Sequence, residues 1–373
     1  MKKCQLIDTT LRDGEQSPGV YFNTEDKKNI ARLLNQAGVV WIEAGIPASG
    51  PHEIKKIQSL LSLGLNARFF SWNRLKIKDI DASIEAGLKY IHLSFPASPI
   101  LLKYKLKKDL PWLLSELEKT VDYAKSKGLE ISIGAEDASR TDRKTMAEIL
   151  KKINLLGCIR FRYADTVGIL DPIKTARIIK NLKNETDIPI EFHAHNDFGL
   201  AAANSLCAFR SGAAFLSVSV NGLGERAGNA ALEEVAMGLR FIEKADSGID
   251  PRLMIKLSKT VEKASGRKVS VSKPVVGKKI FEHESGIHVD GFLKEKSAYE
   301  PYSPKILGRK NRFVLGKSSG KNAIRYFLKK KKITGISDEK IASIRSYIVS
   351  LGEQDKKLYG KKMKKMDFLS NIE

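Results

Sequence analysis

The sequence contains few cysteines and no long apolar run. Its three cysteines, Cys4, Cys158 and Cys207, share no Cys-x-x-Cys spacing among 373 residues, which excludes a disulfide-stabilised scaffold and a zinc ribbon. No segment approaches the roughly 20 apolar residues that cross a bilayer, and no apolar stretch follows the basic N-terminal residues, so we expect neither a membrane protein nor a secretory signal. We therefore expect a protein of the reducing cytoplasm, with all three cysteines buried in packing.

Nucleotide-binding fingerprints are also missing. No G-x-G-x-x-G follows the first predicted strand, so an open doubly wound sheet is only the second choice of fold. The segment GKSSGK at 316–321 resembles a phosphate loop, but it is one residue short between its glycines and lacks a Ser or Thr after its last Lys. We interpret it as a basic turn.

Positive charge is abundant and unevenly distributed. The net charge is +22, and residues 305–373 carry 19 Lys and Arg against 6 Asp and Glu, a net +13. A nucleic-acid-binding basic protein is the remote alternative for such a chain. The lysines at 329–332 lack the interleaved aromatic side chains of RNA-binding modules, so we expect a solvated helical face, no nucleic-acid partner, and at most an attraction for polyanions such as CoA.

Short β-branched runs alternate with amphipathic helical patterns up to about residue 245, which predicts a parallel sheet. The predicted strands are 4–10, 40–45, 67–72, 90–95, 130–136, 159–165, 188–195 and 215–222. Eight such units match a closed (β/α)8 TIM barrel. We therefore predict a catalytic barrel over 1–245, then a smaller, mainly helical C-terminal region over 246–373. In that region we expect helices at 251–264, 321–331 and 338–352, and a loop-rich stretch at 269–311.

Polar side chains cluster at the predicted carboxyl ends of the strands, where TIM barrels carry their chemistry. They are Arg12, Asp13, Glu43, His92, Glu136, Asp165, Thr166, His193, His195, Glu225, Arg226 and Asn229. An inert barrel would not need these groups together, so we expect an enzyme.

The sequence His193-Ala194-His195 places two imidazoles on one face of a strand. Two histidines and one carboxylate with open positions form a recurrent site for a catalytic divalent cation. Asp13 is the best third ligand and Asn229 could add a carbonyl oxygen, which favours Mg²⁺ or Mn²⁺, with Zn²⁺ or Fe²⁺ as alternatives. The other interpretation is a pair of histidines hydrogen-bonded inside the barrel mouth.

Arg12 would place a fixed positive charge beside the cation, where an alkoxide or enolate develops. Its alternative role is a salt bridge to Asp8 or Glu43, and both roles are compatible.

Four long motifs resemble, in the same order, the Claisen-condensing barrel family of isopropylmalate, citramalate and homocitrate synthases (DRE-TIM metallolyases). They are LIDTTLRDGEQSPGV at 6–20, HAHNDFGLAAANSL at 193–206, NGLGERAGNAALEEV at 221–235 and HESGIHVDGFL at 283–293. Within the family, IGAEDASR at 133–140 and RYADTVGILDP at 162–172 most resemble the homocitrate synthases associated with nitrogenase and nitrogen fixation. HMG-CoA lyases carry a Cys in the glycine-rich loop, and 221–230 contains none, which argues against the reverse, cleaving reaction.

The resemblance implies an acyltransferase that condenses acetyl-CoA with a 2-oxo acid. Asp13, His193 and His195 would bind the metal, with Asn229 in or beside its coordination sphere. Arg12 would bind the keto oxygen and Thr166 the carboxylate, and Glu136, His288 and Tyr299 would complete the catalytic set. We expect Gln16, Glu43, His92, Ser132 and Arg162 to contact the substrate as well. The family's C-terminal region reaches over the partner's barrel, which implies a homodimer.

The 2-oxo acid is the open question. We favour 2-oxoglutarate and hence homocitrate; isopropylmalate, citramalate or Re-type citrate synthesis are the alternatives. Lysine-pathway homocitrate synthases carry Arg at the position of Ser132 and Gly at that of Arg162, so the two are exchanged here. We predict that both residues sit at similar depth and that Arg162 binds the distal carboxylate. The alternative is that Arg162 points outward and pairs an acidic residue.

Overall fold

The computed structural model describes residues 2–365, and within them eight parallel strands close into a barrel. The strands are β1 Gln5–Asp8, β2 Trp41–Gly45, β3 Arg68–Arg74, β4 Tyr90–Pro96, β5 Glu130–Glu136, β6 Arg160–Asp165, β7 Ile190–Ala194 and β8 Phe215–Val218. The barrel closes where β8 pairs with β1, from Phe215 against Gln5 to Val218 against Asp8. The predicted TIM barrel is confirmed, because each strand pairs in parallel with its neighbour in the chain.

The helices between the strands begin at identifiable caps. They are α1 Thr24–Gln36, α2 Pro51–Leu61, α3 Ile77–Glu85, α4 Leu110–Ser126, α5 Arg143–Leu155, α6 Pro172–Glu185, α7 Ala201–Arg210 and α8 Leu232–Phe241. At α1 the cap is Asn23, whose side chain accepts from the backbone N–H of Asp26 in a reciprocal capping box. At α6 the Asp171 side chain accepts from Lys174 N–H, and Pro172 occupies the first turn.

Aromatic side chains fill the amino-terminal end of the barrel lumen. Ile7, Trp41 and Phe70 form a buried cluster there, with Phe215 packed against it. The guanidinium of Arg160 lies 4.9 Å from the Trp41 ring centroid and 5.1 Å from that of Phe215. This packed floor confines the polar groups of the lumen to the carboxyl ends of the strands.

The chain divides into two compact units. The first comprises residues 1–269 and 274–276, and it includes α9, Met254–Ser265, which the sequence pattern had placed beyond the barrel domain. Within the described residues, the second comprises 270–273 and 277–365. Its elements are β9 Glu282–His283, α10 Gly286–Lys294, β10 Arg312–Phe313, α11 Lys321–Lys330, α12 Asp338–Gln354 and α13 Lys356–Lys365. The stretch 269–311 therefore contains a helix, α10, whose two glycines weaken its sequence signal.

The second unit has a core of its own, in which α11 and α12 contribute Ile324, Phe327, Ile341 and Ile344. The lysines at 329–332 are exposed, as expected for a solvated helical face. Among the helices that the structure describes, none is both long and apolar enough to cross a membrane.

Candidate active site

Asp13, His193 and His195 converge at the carboxyl end of the barrel. One ligand atom from each lies within 4.8 Å of the others, and all three residues are buried. The Nε2 atoms of the two histidines are 3.3 Å apart, and Asp13 Oδ2 lies 3.2 Å from His193 Nε2. Two imidazole nitrogens and a carboxylate oxygen at these distances are the donor set that a divalent cation requires.

The local backbone explains this convergence. His193 lies on β7 and His195 directly follows it, so strand alternation points both rings into the lumen. Asp13 enters from the turn after β1. Asn229 forms a backbone bridge with His195, and its buried Oδ1 accepts no hydrogen bond within the described part of the chain. The four residues fit a metal centre, with Asn229 available as an additional oxygen donor.

Ion pairs extend from this centre across the lumen. Arg12 Nε donates to Glu43 Oε2 at 2.7 Å, and Arg12 Nη2 forms an ion pair with the same oxygen at 2.7 Å. The other Glu43 oxygen accepts from Arg162 Nη1 at 3.1 Å, and Arg162 Nε donates to Glu191 Oε1 at 2.5 Å. Glu191 also accepts from Arg160 Nε at 2.5 Å. Arg162 thus lies inside the barrel and pairs acidic residues there, so the outward orientation is excluded.

These charges shift the neighbouring pKa values. Burial alone would raise the pKa of Asp13, but Arg12 and His193 outweigh it and hold that pKa well below its usual range. Burial, reinforced by the neighbouring His193, lowers the pKa of His195 to about 4. Both groups are therefore in the forms that bind a cation at neutral pH: a carboxylate and a neutral imidazole.

His92 is a neutral residue in this charged lumen. Burial, followed by the charges of Arg162 and Arg160, lowers its pKa well below the usual value. Its Nδ1 lies 2.9 Å from Ser132 Oγ. A Cβ at Gly134 would lie 2.5 Å from His92 Nε2 and 3.1 Å from the Arg162 Cβ, so glycine provides the space that both side chains occupy.

The depth predicted for Ser132 is wrong. The β5–β6 register pairs Arg162 with Gly134, while Ser132 pairs with Arg160, about 7 Å deeper in the barrel. The prediction took Ser132 and Arg162 to be at equal depth because each lies four residues before a site residue, Glu136 and Thr166 respectively. Neighbouring strands of a barrel are staggered, so equal spacing along the chain does not give equal depth.

A cavity of about 240 Å³ opens above this network. It is lined by Arg12, Asp13, Gln16, Trp72, His92, Ser94, Lys105, Gly134, Ala135, Glu136, Arg162, Ala164, Thr166, His193, His195 and Glu225. Among the predicted barrel residues, Glu43, Ser132 and Asn229 are buried behind the lining. Gln16 Oε1 accepts from Arg12 Nη1 at 3.2 Å, and Thr166 Oγ1 accepts from the Asp137 N–H at 2.8 Å.

Sequence reasoning missed Lys105 and Glu191. Lys105 Nζ donates to both Glu136 oxygens, at 2.8 and 3.0 Å, from the segment between β4 and α4. In the sequence this segment is distinguished only by its many lysines, which do not indicate that Lys105 in particular reaches the site. Glu191 could have been found, because it lies two residues before His193 and four before His195 on the same face of β7.

His288 and Tyr299 lie in the second unit. His288 is on α10, and its ring centroid is 4.5 Å from that of Tyr299. A Cβ at Gly291 would lie 2.5 Å from the Tyr299 ring, so this glycine lets the ring approach the helix. The two predicted catalytic residues of this unit are therefore neighbours of each other.

The fold and this site define a class: a (β/α)8-barrel enzyme with a two-histidine, one-aspartate cation site at its carboxyl end. Residues 3–261 match the HMGL-like family, and residues 275–356 match the family described as homocitrate synthase post-HMGL domain-like. The chain belongs to the HMGL-like family, which is metal-dependent, and it is an acyltransferase-type enzyme. The predicted family resemblance is confirmed.

The relatives of the chain carry names that refer to different products. The chain is 46% identical to 2-isopropylmalate synthase 2 of Caldanaerobacter subterraneus subsp. tengcongensis. The aligned region has 323 residues and covers 87% of this chain and 84% of the relative. The chain is 43% identical to homocitrate synthase 1 of Nostoc sp., over 87% of this chain and 86% of the relative. The barrel also resembles the hydroxymethylglutaryl-CoA lyase of Pseudomonas aeruginosa, with a TM-score of 0.64 and 21% identity over 72% of this chain and 94% of the lyase. That likeness concerns the fold alone.

Proposed function

We propose that the enzyme condenses acetyl-CoA with 2-oxoglutarate and releases homocitrate and CoA. The observation that carries this choice is Arg162 Nη2, a buried donor with no hydrogen-bond partner among the described residues. Arg162 lines the cavity that also contains Asp13, His193 and His195. An unsatisfied guanidinium N–H beside a cation site suits a second anionic group on the substrate.

The charge of the lumen supports a diacid. Glu43 and Glu191 link Arg12, Arg160 and Arg162 into one network of three positive and two negative charges. Asp13 Oδ1 lies 3.6 Å from Arg12 Nη1, and once Asp13 binds the proposed cation its charge is used there, which leaves one positive charge of the network uncompensated. A distal carboxylate would neutralise that charge and accept from Arg162 Nη2. Pyruvate and 2-oxoisovalerate have no such group, and oxaloacetate carries it on a shorter chain.

The other side chains suit the steps of a Claisen condensation. Asp13, His193 and His195, with Asn229, would hold a divalent cation, Mg²⁺ or Mn²⁺ in preference to Zn²⁺ or Fe²⁺, which would polarise the keto group. Arg12 donates to the keto oxygen and Thr166 to the adjacent carboxylate. Glu136 removes a methyl proton from acetyl-CoA, and the enolate carbon attacks the keto carbon. Arg12 stabilises the resulting alkoxide, which takes up a proton to become the hydroxyl of the product. Water then cleaves the thioester, which gives the new carboxylate and releases the CoA thiol.

Lys105 extends this assignment. Its ammonium donates two hydrogen bonds to Glu136 and so holds the orientation of that carboxylate in the lining of the cavity. The family resemblance also predicts that His288 and Tyr299 are catalytic and that a second copy of the chain contributes them in a homodimer. The low cysteine content separately predicts a cytoplasmic location.

The relative named 2-isopropylmalate synthase makes 2-oxoisovalerate the second candidate substrate. A thiol-release assay separates the two, with acetyl-CoA and each of 2-oxoglutarate, 2-oxoisovalerate, pyruvate and oxaloacetate in turn. We expect the highest kcat/KM with 2-oxoglutarate, and homocitrate as the product identified by mass spectrometry. A kcat/KM that is higher for pyruvate or 2-oxoisovalerate than for 2-oxoglutarate would reject 2-oxoglutarate as the substrate. No thiol release with any of the four acids would reject the condensation reaction itself.

A further inference from the structure

Backbone pairing between β1 and β2 stops below the level of the active site. The ladder contains Ile7 against Trp41 and Asp8 against Ile42, and the register of β2 against β3 shifts between Glu43 and Gly45. Arg12, Asp13 and Glu43 all lie beyond the last pair of this ladder. Side chains must therefore hold these two chain segments together at the level of the cation site.

Lys27 occupies the position where these segments meet. It lies on α1 and its side chain is completely buried. Its ammonium donates to the carbonyl oxygen of Leu11 at 3.2 Å and to that of Ala44 at 3.3 Å. Leu11 immediately precedes Arg12, and Ala44 immediately follows Glu43. One cation thus bridges the backbone beside each partner of the Arg12–Glu43 ion pair.

Two carboxylates complete the surroundings of this ammonium. Glu53 Oε1 lies 2.7 Å away and Glu15 Oε2 2.9 Å away. Glu15 comes two residues after Asp13 in the same turn, so the cluster also holds the far side of the segment that carries the cation ligand. A buried lysine with two carboxylates and two carbonyls is satisfied in charge and in hydrogen bonding.

Gly45 makes this arrangement possible. A Cβ there would lie 1.9 Å from Glu53 Oε1 and 3.4 Å from Lys27 Nζ, and the residue has a φ of +155°. The absence of a side chain at Gly45 thus leaves the space that Glu53 and Lys27 occupy.

We infer that Lys27 is a positioning residue: it replaces the missing β1–β2 ladder bonds and thereby sets the separation of Arg12 and Glu43 and the place of Asp13. It touches none of the proposed reacting atoms and acts through the backbone. The inference rests on the proposed cation ligands, and it is independent of which 2-oxo acid is the substrate.

The test compares two buried lysines. The first variant is Lys27→Met combined with Glu53→Gln, so that the Glu53 carboxylate does not face an apolar group without a counter-charge. Glu15, the other carboxylate beside Lys27, keeps Lys56 Nζ at 3.9 Å. The control is Lys56→Met. Lys56 is also buried and donates to the Phe22 carbonyl at 2.8 Å, and its Nζ lies 3.9 Å from Glu15, but it bonds neither Leu11 nor Ala44.

The first readout is the affinity for Mn²⁺. It is measured by electron paramagnetic resonance titration without any 2-oxo acid. We expect it to fall by about tenfold or more in the Lys27 variant and to stay within about twofold in the control. The second readout is kcat/KM with the best 2-oxo acid, which should fall with the Mn²⁺ affinity. The melting temperature of each variant shows whether the barrel folds.

Equal Mn²⁺ affinity in the two variants would overturn the inference. Failure of the Lys27 variant to fold, with the Lys56 variant intact, would also overturn it, because Lys27 would then support the barrel as a whole. If the wild-type protein binds Mn²⁺ but does not use 2-oxoglutarate, only the proposed function fails.

Discussion

Arg162 donates from Nε to Glu191 Oε1 at 2.5 Å, and both side chains are buried in the lumen of the barrel. Burial would lower the pKa of Arg162, but Glu191 and Glu43 outweigh it and raise that pKa, so the guanidinium stays charged. Two carboxylates therefore hold the orientation of Arg162 while its Nη2 stays available to a ligand.

Replacing Arg162 should change substrate choice more than turnover in general. For Arg162→Ala we expect kcat/KM for 2-oxoglutarate to fall roughly tenfold or more, with little loss for pyruvate, because a charge-assisted contact to the distal carboxylate contributes roughly 1.5–3 kcal/mol. Arg160→Met is the matched control, since Arg160 also pairs Glu191 but does not line the cavity. An equal loss for both acids in Arg162→Ala would assign Arg162 to the stability of the barrel.

Removing a histidine ligand should abolish metal binding and leave the fold intact. For His193→Ala and His195→Ala we expect loss of bound Mn²⁺ and of activity, because each ring supplies one of the converging donors above a core packed by other residues. His52→Ala, at an exposed position on α2, is the control. Bound metal is measured by equilibrium dialysis and the fold by circular dichroism. Full metal occupancy in either ligand variant would refute the site.

The metal-free protein should lose stability in mild acid, partly through His92. Its folded pKa lies well below the usual 6.5, so the unfolded chain binds a proton that the folded chain does not. The free energy of unfolding contributed by His92 is therefore fully present above pH 6.5 and is lost as the pH falls, by up to about 1.4 kcal/mol per pH unit. Urea unfolding in EDTA at pH 5.5 and 7.5 should show a smaller difference for His92→Gln than for wild type. Identical differences would contradict a buried neutral His92.

Two of the three thiols should be unreactive in the native protein. Burial raises the pKa of Cys4 and of Cys158 to about 12, so neither forms a thiolate at pH 8. Cys207 is only partly buried, which departs from the expectation that all three are packed inside. Ellman's reagent should label at most one thiol in the folded protein and three in denaturant. A Cys207→Ser variant should show none in the folded state, and rapid labelling of two or more wild-type thiols would contradict the burial.

Several features could be predicted from local sequence because each depends on spacing along one element. The barrel followed from eight alternating strand and helix patterns, and the imidazole pair from the period of two in His193-Ala194-His195. The cap of α1 does not follow from the sequence pattern, because Asn23 and Thr24 are both residue types that cap helices; in the structure Asn23 is the cap. Adjacent residues with equal capping propensity are not separated by pattern alone.

The sequence by itself determined the features that depend on a single strand or turn. These are the eightfold alternation of strands and helices, the polar residues at the strand ends, and the motifs that place the chain in its family. The tertiary structure decided everything that depends on the relative register of different strands. It placed Gly134 and not Ser132 beside Arg162, paired Glu191 with Arg160 and Arg162, brought Lys105 to Glu136, and joined Leu11 to Ala44 through Lys27. The physical reason is that alternation within a strand determines which way a side chain faces, whereas the stagger of a closed barrel determines which side chains meet.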